Sequence, residues 1–510
     1  MRQLYHGLRQ PLSRFPLLLT GILCTALIAS CAVGPDYRSQ QAPEDSGYTA
    51  DPMPAETAAA PVALGESQHF VSTSIDAEWW KRFGSAKLDA LIERALLSSP
   101  SMDAARATLE QAEQTYQAQG GATQYPQVSA NTGGSRQRVN TAAFGQPGGG
   151  SKTFSLFNAG VSAGYSLDLF GGNRRMLESF AAEADYQRYQ METARLLLVT
   201  NVITTAVMQA QLATQLQINE QILLAREEQL EITGKRLALG AGSRSEVLAL
   251  QTTVEQTRAA IPQLRNGLEQ TQHLLAVLAG LPPATAETPS FVLTDFTLPA
   301  RLPVVIPSEL VRQRPDIRAS EALMQAANAR YGVTISKRYP QINLSADIGS
   351  QALTASTLFG AGTLVWGAAG QLAQPLFHMG LPAESRAAKA GLDVAEANYR
   401  QTVLHALQNV ADTLRSLDHD ASTLAARAAA NSAAQSSLEL VKQEYNLGAA
   451  NYLEVLSAEQ QMQLNALNLV EAQSRRLIDT AALYQAMGGG ALFSGHANLD
   501  SGDLHTTDTN

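Results

Sequence analysis

Leu239-Gly240-Ala241-Gly242-Ser243-Arg244-Ser245-Glu246-Val247-Leu248 recurs 208 positions later as Leu447-Gly448-Ala449-Ala450-Asn451-Tyr452-Leu453-Glu454-Val455-Leu456. Each copy interrupts a long helical pattern. The Leu-Gly pair puts a glycine where a helix ends in the left-handed region. Ser243 or Asn451, with glutamate three residues on, opens the next helix as an N-cap, and both glutamates are expected to complete capping boxes. The chain is therefore read as two structural halves, each built around a helical hairpin. A repeat of roughly 210 residues is too long for a solenoid unit.

Outward from these turns the halves keep step. The pattern before the first turn runs from Gly172 to about Leu239, and that before the second from Pro382 to about Leu447, both without internal proline. About sixty residues at 1.5 Å each make roughly 100 Å of helix. Leu216, Leu223, Leu230 and Leu237 recur every seven residues, as do Val403, Val410, Leu417 and Leu424, with Leu407 and Leu414 between them. Heptads of this kind specify supercoiled packing, and a globular all-α domain seldom needs helices this long. The helices after the turns cover 242–280 and 451–487.

Further out, Tyr125-Pro126-Gln127-Val128 recurs as Tyr339-Pro340-Gln341-Ile342. Pro100 and Pro315 open helical stretches over about 101–123 and 316–337, and each Tyr-Pro stops one, because the residue before proline disfavours the α region. Strict alternation follows. Ile342, Leu344, Ala346 and Ile348 share one face, and Asn343, Ser345, Asp347 and Gly349 the other. Val161, Ala163, Tyr165, Leu167 and Leu169 alternate with Ser162, Gly164, Ser166 and Asp168. Period two predicts strands, about 127–139 and 154–169 in the first half and 341–353 and 363–377 in the second. Loops at 140–152 and 354–362 join them. Such strands could form a soluble sandwich. Four strands cannot close a barrel and open edges cannot sit in lipid, so a membrane role requires several chains to pool them; three would supply twelve.

The N-terminus sets the compartment. Arg2, Arg9 and Arg14 precede an apolar run from Phe15 to Ser30, with no acid before Cys31. This predicts a signal peptide over residues 1–30. Ile28-Ala29-Ser30-Cys31 resembles a bacterial lipobox, so Cys31 is the expected lipidation site, carrying an N-acyl and an S-diacylglycerol group. Ala32 follows in place of the aspartate that favours inner-membrane retention. The predicted divisions are the signal peptide 1–30, a lipidated tether 31–75, a first repeat 76–300, a second repeat 301–490 and a disordered tail 491–510.

The composition narrows the function. The chain has 510 residues and a net charge of −9; removing residues 1–30 takes away three cations and no acid, leaving −12. That balance argues against nucleic acid as a partner. Two cysteines cannot build a four-cysteine zinc site. Gly145 to Thr153 resembles a phosphate loop, but Ser151 separates Gly150 from Lys152 and the required Gly-Lys pair is missing. The eight histidines contain no HExxH, and His378 stands alone. Ser243 follows no strand and so forms no nucleophile elbow. No enzyme and no resident cofactor or metal is expected.

The lipobox followed by Cys31-Ala32-Val33-Gly34-Pro35-Asp36-Tyr37, the two Tyr-Pro-Gln strand starts and the paired Leu-Gly turns resemble an outer-membrane factor of the TolC/OprM type, in its NodT-like lipoprotein branch. The resemblance covers residues 31 to about 488. It implies an internally duplicated α+β membrane protein: a trimeric 12-stranded outer-membrane β-barrel, four strands per chain, continued by a long α-helical coiled-coil periplasmic tunnel. It implies the exit duct of a tripartite export system, supplied by a periplasmic adaptor and an inner-membrane pump, the RND type ranking ahead of ABC and MFS types. A lipidated periplasmic coiled-coil adaptor or structural lipoprotein is the alternative, and it needs lipoyl-like domains in place of duplicated hairpins.

The resemblance also assigns the helical turns. Leu453, Glu454 and Ser457 match aperture residues of the periplasmic entrance, Tyr445 a tyrosine that latches the closed state, and Glu246 its acidic partner. Gly240, Gly242, Ser243, Gly448 and Asn451 fall in the turns that meet the adaptor. Ser457 stands where relatives place aspartate, and Ala450 where some place a latching arginine, for which Arg244 is the candidate substitute. The glutamates can be helix caps, gate residues or both. Tyr125, Tyr165, Tyr339 and Trp366 suit membrane-interface belts, and Lys337 and Arg338 the periplasmic headgroups.

Overall fold

The computed structural model describes residues 32–41, 47–140, 150–285 and 287–490. The signal peptide, Cys31, residues 141–149 of the first loop and the tail 491–510 lie outside the described residues. In chain order the elements are β1 (His69–Val71), α1 (Ala86–Ser98), α2 (Pro100–Gln124), β2 (Gln127–Asn140), β3 (Ser151–Leu167), α3 (Gly172–Ala238), α4 (Arg244–Leu278), β4 (Arg301–Pro303), α5 (Pro307–Gln313), α6 (Pro315–Ser336), β5 (Gln341–Ala352), β6 (Leu364–Ala373), α7 (Gly380–Asn446) and α8 (Tyr452–Ala486). The duplication is visible in lengths. α3 and α7 both have 67 residues, and α4 and α8 both have 35.

The chain divides into two compact units. The first contains Glu110–Tyr186, Glu321–Asn398 and the segment ending at Ser39. Its centre is one antiparallel sheet in the order β2-β3-β5-β6. The register runs without a bulge. Ala163 lies opposite Val128 and Ala346, and Val161 opposite Ala130 and Ile348. Ala346 and Ile348 lie in turn opposite Ala368 and Trp366. Because side chains alternate along each strand, the apolar positions of all four strands share one face. The other face is polar: Ser162 lies opposite Ser129, at 2.9 Å between hydroxyls, and opposite Asp347. The outer edges of β2 and β6 have no partner strand among the described residues.

Two strands differ from expectation in their bounds. β6 ends at Ala373 rather than about 377, because Pro375 has no N–H for a ladder. β3 starts at Ser151 and ends at Leu167, before the carboxylate of Asp168 turns back to accept from the N–H groups of Asn173 and Arg174 at the start of α3. At the helix-joined end of the sheet, Phe170 stacks on Tyr339 with ring centroids 4.9 Å apart. The ammonium of Lys337 pairs with Glu384.

The segment 32–39 is extended and hydrogen-bonded to the first unit. Val33 N–H donates to Phe170 O, the Arg175 guanidinium to Asp36 at 2.5 Å, and Asn328 Nδ2 to Pro35 O. The Tyr37 and Ser39 hydroxyls both donate to Glu321. An extended chain without periodicity thus satisfies its polar groups on α3 and α6.

The second unit contains Gln40–Leu109, Gln187–Ser320 and the chain from Tyr399 onward. Its core gathers Trp79, Trp80, Phe83, Leu88 and Ile92 with Leu198, Val199, Val202, Ile203, Ala206 and Val207 of α3 and Leu477, Leu483 and Tyr484 of α8. Trp79 stacks on Tyr484 at 4.8 Å. α3 is long and apolar enough to cross a membrane, but its apolar residues Leu198 to Ala210 are spent on this core. β1 pairs in parallel with β4. The heptads differ. Val403, Val410, Leu417 and Leu424 are buried, while Leu216, Leu223, Leu230 and Leu237 are half-buried.

Residues 47–75, read from sequence as tether, belong to this unit: besides the β1–β4 pairing, the Tyr48 hydroxyl donates to Val305 O, and one buried side chain gathers several of the segment's polar groups. Arg476 is 1% exposed and donates to Leu64 O (2.9 Å), Thr57 Oγ1 (3.2 Å) and Gln68 Oε1 (3.0 Å). Gln68 Nε2 donates onward to Pro299 O and Thr480 Oγ1. Burial lowers the pKa of Arg476, and among the described residues no carboxylate pairs with it. Hydrogen bonds to carbonyl and hydroxyl oxygens take the place of an ion pair, which a buried cation requires.

Candidate functional site at the helical turns

Both turns end their helices the same way. Gly240 N–H donates to Leu237 O and Ala241 N–H to Arg236 O; Gly448 N–H donates to Tyr445 O and Ala449 N–H to Glu444 O, at 2.8–3.0 Å. This is the Schellman pattern. It places Gly240 at φ +78° and Gly448 at φ +77°, where a side chain is disfavoured. A Cβ at Gly242 would stand 3.2 Å from Leu237 N, a close contact, and Ala450 holds the matching place in the second turn. Leu239 and Leu447, just before the glycines, are 84% and 85% exposed.

The helix starts differ in one respect. Ser243 Oγ accepts from Glu246 N–H at 3.2 Å, and Ser243 N–H donates to Glu246 Oε2 at 3.3 Å, a complete capping box. Asn451 Oδ1 accepts from Glu454 N–H at 3.1 Å, but the Glu454 carboxylate accepts from Asn451 Nδ2 at 2.8 Å rather than from the backbone. The expected second box is therefore half made. Asparagine carries both an acceptor and a donor, so its amide intercepts the carboxylate.

The four helix ends share a small core of Leu250, Tyr452, Val455 and Leu456, flanked by Leu230, Ala249, Val441 and Tyr445. The rings of Tyr445 and Tyr452 lie 5.8 Å apart. Tyr452 is 5% exposed and its hydroxyl has no partner among the described residues. Burial pushes its pKa up. With Val455 and Leu456 turned inward, Leu453, Glu454 and Ser457 are left on the exposed side of α8. These three expected aperture residues therefore share one surface. Glu246 is half-exposed beside its cap.

The arginine beside Tyr445 differs from expectation. Arg236, not Arg244, reaches Tyr445: its Nη1 donates to the phenol oxygen at 2.5 Å, with Cζ 5.9 Å from the ring centroid. The hydrogen bond from α3 to α7 holds the Arg236 pKa above its ordinary value. Arg244 is the exposed first residue of α4. Arg236 sits beside the heptad residue Leu237, which was the available sequence signal.

A polar layer that the heptads concealed lies deeper in the same helices. Arg226 is 5% exposed and donates to Thr257 Oγ1 (2.5 Å), Thr253 O (3.4 Å) and Gln463 Oε1 (3.0 Å). Gln463 Nε2 then donates to Asn219 Oδ1 at 3.2 Å. Burial lowers the pKa of Arg226. Nothing in these turns resembles a metal-binding cluster of His, Cys, Asp or Glu, among the described residues.

Comparison with known proteins places this geometry. The family model described as Outer membrane efflux protein matches residues 91–281 and 306–489. The chain is 29% identical over 491 residues to the cation efflux system protein CusC of Escherichia coli O6:H1, covering 92% of this chain and 97% of that protein. It is 29% identical over 481 residues to the probable efflux pump outer membrane protein TtgC of Pseudomonas putida, covering 93% and 95%. Among solved structures it resembles the outer-membrane channel OprN, with a TM-score of 0.80 and 25% identity over 90% of this chain and 99% of that one.

Proposed function

Because the chain belongs to the outer membrane efflux protein family, we propose that it is the exit duct of a tripartite efflux system, conducting drugs or other small molecules out of the cell without chemistry of its own. It is an outer-membrane protein of the efflux-channel fold. The observation that carries the reading is the sheet. Its register collects apolar residues on one face and polar residues on the other, and among the described residues both its edges are open. That is one third of a barrel whose outside meets lipid and whose inside meets water. Closure by three copies gives a homotrimer with twelve strands.

Proteins of this family work with a periplasmic adaptor and an inner-membrane pump; we assign an RND-type pump to this one. Gly240, Gly242, Ser243, Gly448 and Asn451 form the turns that present Leu239 and Leu447 to the adaptor. Leu453, Glu454 and Ser457 line the closed aperture, with Glu246 beside them, and Tyr445 latches it through Arg236. Cys31 carries the lipid that holds the first unit at the membrane. The test is conductance of the purified lipoprotein in planar bilayers, with negative-stain images of the same preparation. Trimeric particles with a detergent belt and cation-preferring channels are expected, and Glu454→Ala should strongly reduce that preference. Monomers without a belt and without conductance would overturn the reading; unchanged selectivity in the variant would remove Glu454 from the gate.

A further inference from the structure

The far end of the sheet carries a charge pattern that conduction does not use. Between Gln127 and Leu167 the sequence holds three cations, Arg136, Arg138 and Lys152, and no acid. From Ile348 to Ala373 there is no charged residue. In a chain of net charge −9, this end is therefore purely cationic, and a second copy of the chain brings no carboxylate to it. The only acid in the four strands, Asp347, lies on the polar face opposite Ser162.

Register sorts the three cations. Arg136 and Arg138 follow Val128, Ala130, Thr132 and Gly134 at period two and so share the apolar face. Lys152, opposite Val139, falls on the polar face. The pairing of β3 with β5 stops at Phe157 and Ala352, so the two arginines stand just past the end of the four-stranded sheet, on the hairpin of β2 and β3. Both are exposed, and among the described residues neither makes an ion pair; Arg138 Nε donates to Ser151 Oγ at 2.8 Å.

Height identifies the neighbour. From Tyr165 to Ser155, the residue opposite Arg136, is ten steps along β3. At about 3.4 Å per residue and a tilt of about 40°, that is about 26 Å along a barrel axis, matching the apolar band of about 25 Å in outer-membrane barrels. The helix-joined end lies at the other side of the band, so the arginines reach the headgroups of the outer leaflet. Guanidinium groups bind phosphate oxygens through paired N–H donors, and do so best where no carboxylate competes.

We propose that Arg136 and Arg138 form an outward-facing patch that binds the phosphate groups of lipid A, the phosphorylated glycolipid of the outer leaflet. The assignment rests on the barrel reading above. The test measures binding of micellar lipid A to the full-length lipoprotein, with dephosphorylated lipid A as a second arm. The expected result is affinity about tenfold weaker in Arg136→Ala/Arg138→Ala, and equally weaker for wild type with the dephosphorylated lipid, following the attraction of each basic residue to an anionic surface. Lys152→Ala should bind as wild type. Unchanged affinity in the double variant, indifference to dephosphorylation, an equal loss in Lys152→Ala, or displacement by millimolar inorganic phosphate would each overturn the patch. Conductance of the same wild-type sample separates the two readings. A conducting channel with no phosphate dependence sinks the patch alone, and a protein that neither conducts nor fractionates with outer membranes sinks both.

Discussion

Tyr445 and Arg236 join two long helices, α7 and α3, through one hydrogen bond. Tyr445→Phe keeps the ring against Tyr452 and removes only the phenol oxygen. Arg236→Ala removes the same bond from the other side. Both variants should raise leak of vancomycin-sized drugs to a similar degree, and the double variant should leak no more than either, because one interaction cannot be lost twice. Sensitivity of cells at matched trimer yield checks this; additive leak would mean that the two residues act apart. A second residue-scale effect lies between α7 and α8. Asp479 is pushed up to about 7, by burial first and by the neighbouring carboxyl of Asp420, with Arg475 opposing. A carboxyl with a raised folded pKa keeps its proton when folded while the unfolded chain has lost it. Stability should therefore fall as pH rises from about 4 to 7 and level off above. The loss from this group is about 1–2 kcal/mol after allowance for solvent access, and Asp479→Asn should flatten that part of a melting-temperature series. Neither pair was legible in the sequence. Arg236 lies far from Tyr445 along the chain, and Asp420 from Asp479, so only tertiary packing brings them together. Glu454 shows the same limit at short range: the spacing of a capping box was present, yet the asparagine amide took the carboxylate.

At the scale of elements, far more could be read. The Leu-Gly pairs located both helix ends because a left-handed residue at the C′ position is a local requirement that glycine meets regardless of what packs around it. Period two located the strands for a similar reason, and proline marked where two of the helices begin. What escaped was whatever lacked periodicity. Residues 47–75 looked like a linker because nothing local reveals that Arg476, on a helix near the other end of the chain, grips them. The heptad reading in turn hid Arg226, since a polar residue off the leucine positions leaves no trace in the pattern. Two glycines of α3 and its turn allow a test with opposite signs. Gly234 is inside the helix with open space where a Cβ would go, so Gly234→Ala should stabilise by about 0.5–1 kcal/mol. Gly240 is at φ +78°, so Gly240→Ala should cost about 1 kcal/mol. Hydrogen exchange at the amides of the turn reads both. Equal and same-signed effects would mean that the Schellman geometry does not govern this helix end.

At the scale of the whole molecule the open edges decide the assembly. Among the described residues β2 and β6 each present a row of unpaired backbone groups, and in hydrocarbon each such group costs several kcal/mol. A single chain cannot satisfy them, whereas a ring of copies that pairs β6 of one with β2 of the next satisfies all of them. Alternating residues of β6 aim their N–H groups at β5 and at the free edge in turn. Of the adjacent variants Ala368→Pro and Ala369→Pro, one therefore removes a donor to β5 and the other a donor to the open side. If the edge is paired in the assembled protein, both should abolish heat-labile trimers on gels and both should remove conductance, since proline is tolerated only where a strand edge faces water. If one variant assembles and conducts like wild type, the edge of β6 is unpaired and closure by neighbouring copies is wrong. The polar face, with Ser129, Ser162 and Asp347 in line across three strands, would then have no closed wall to line, and conduction would have to be sought among the helices alone.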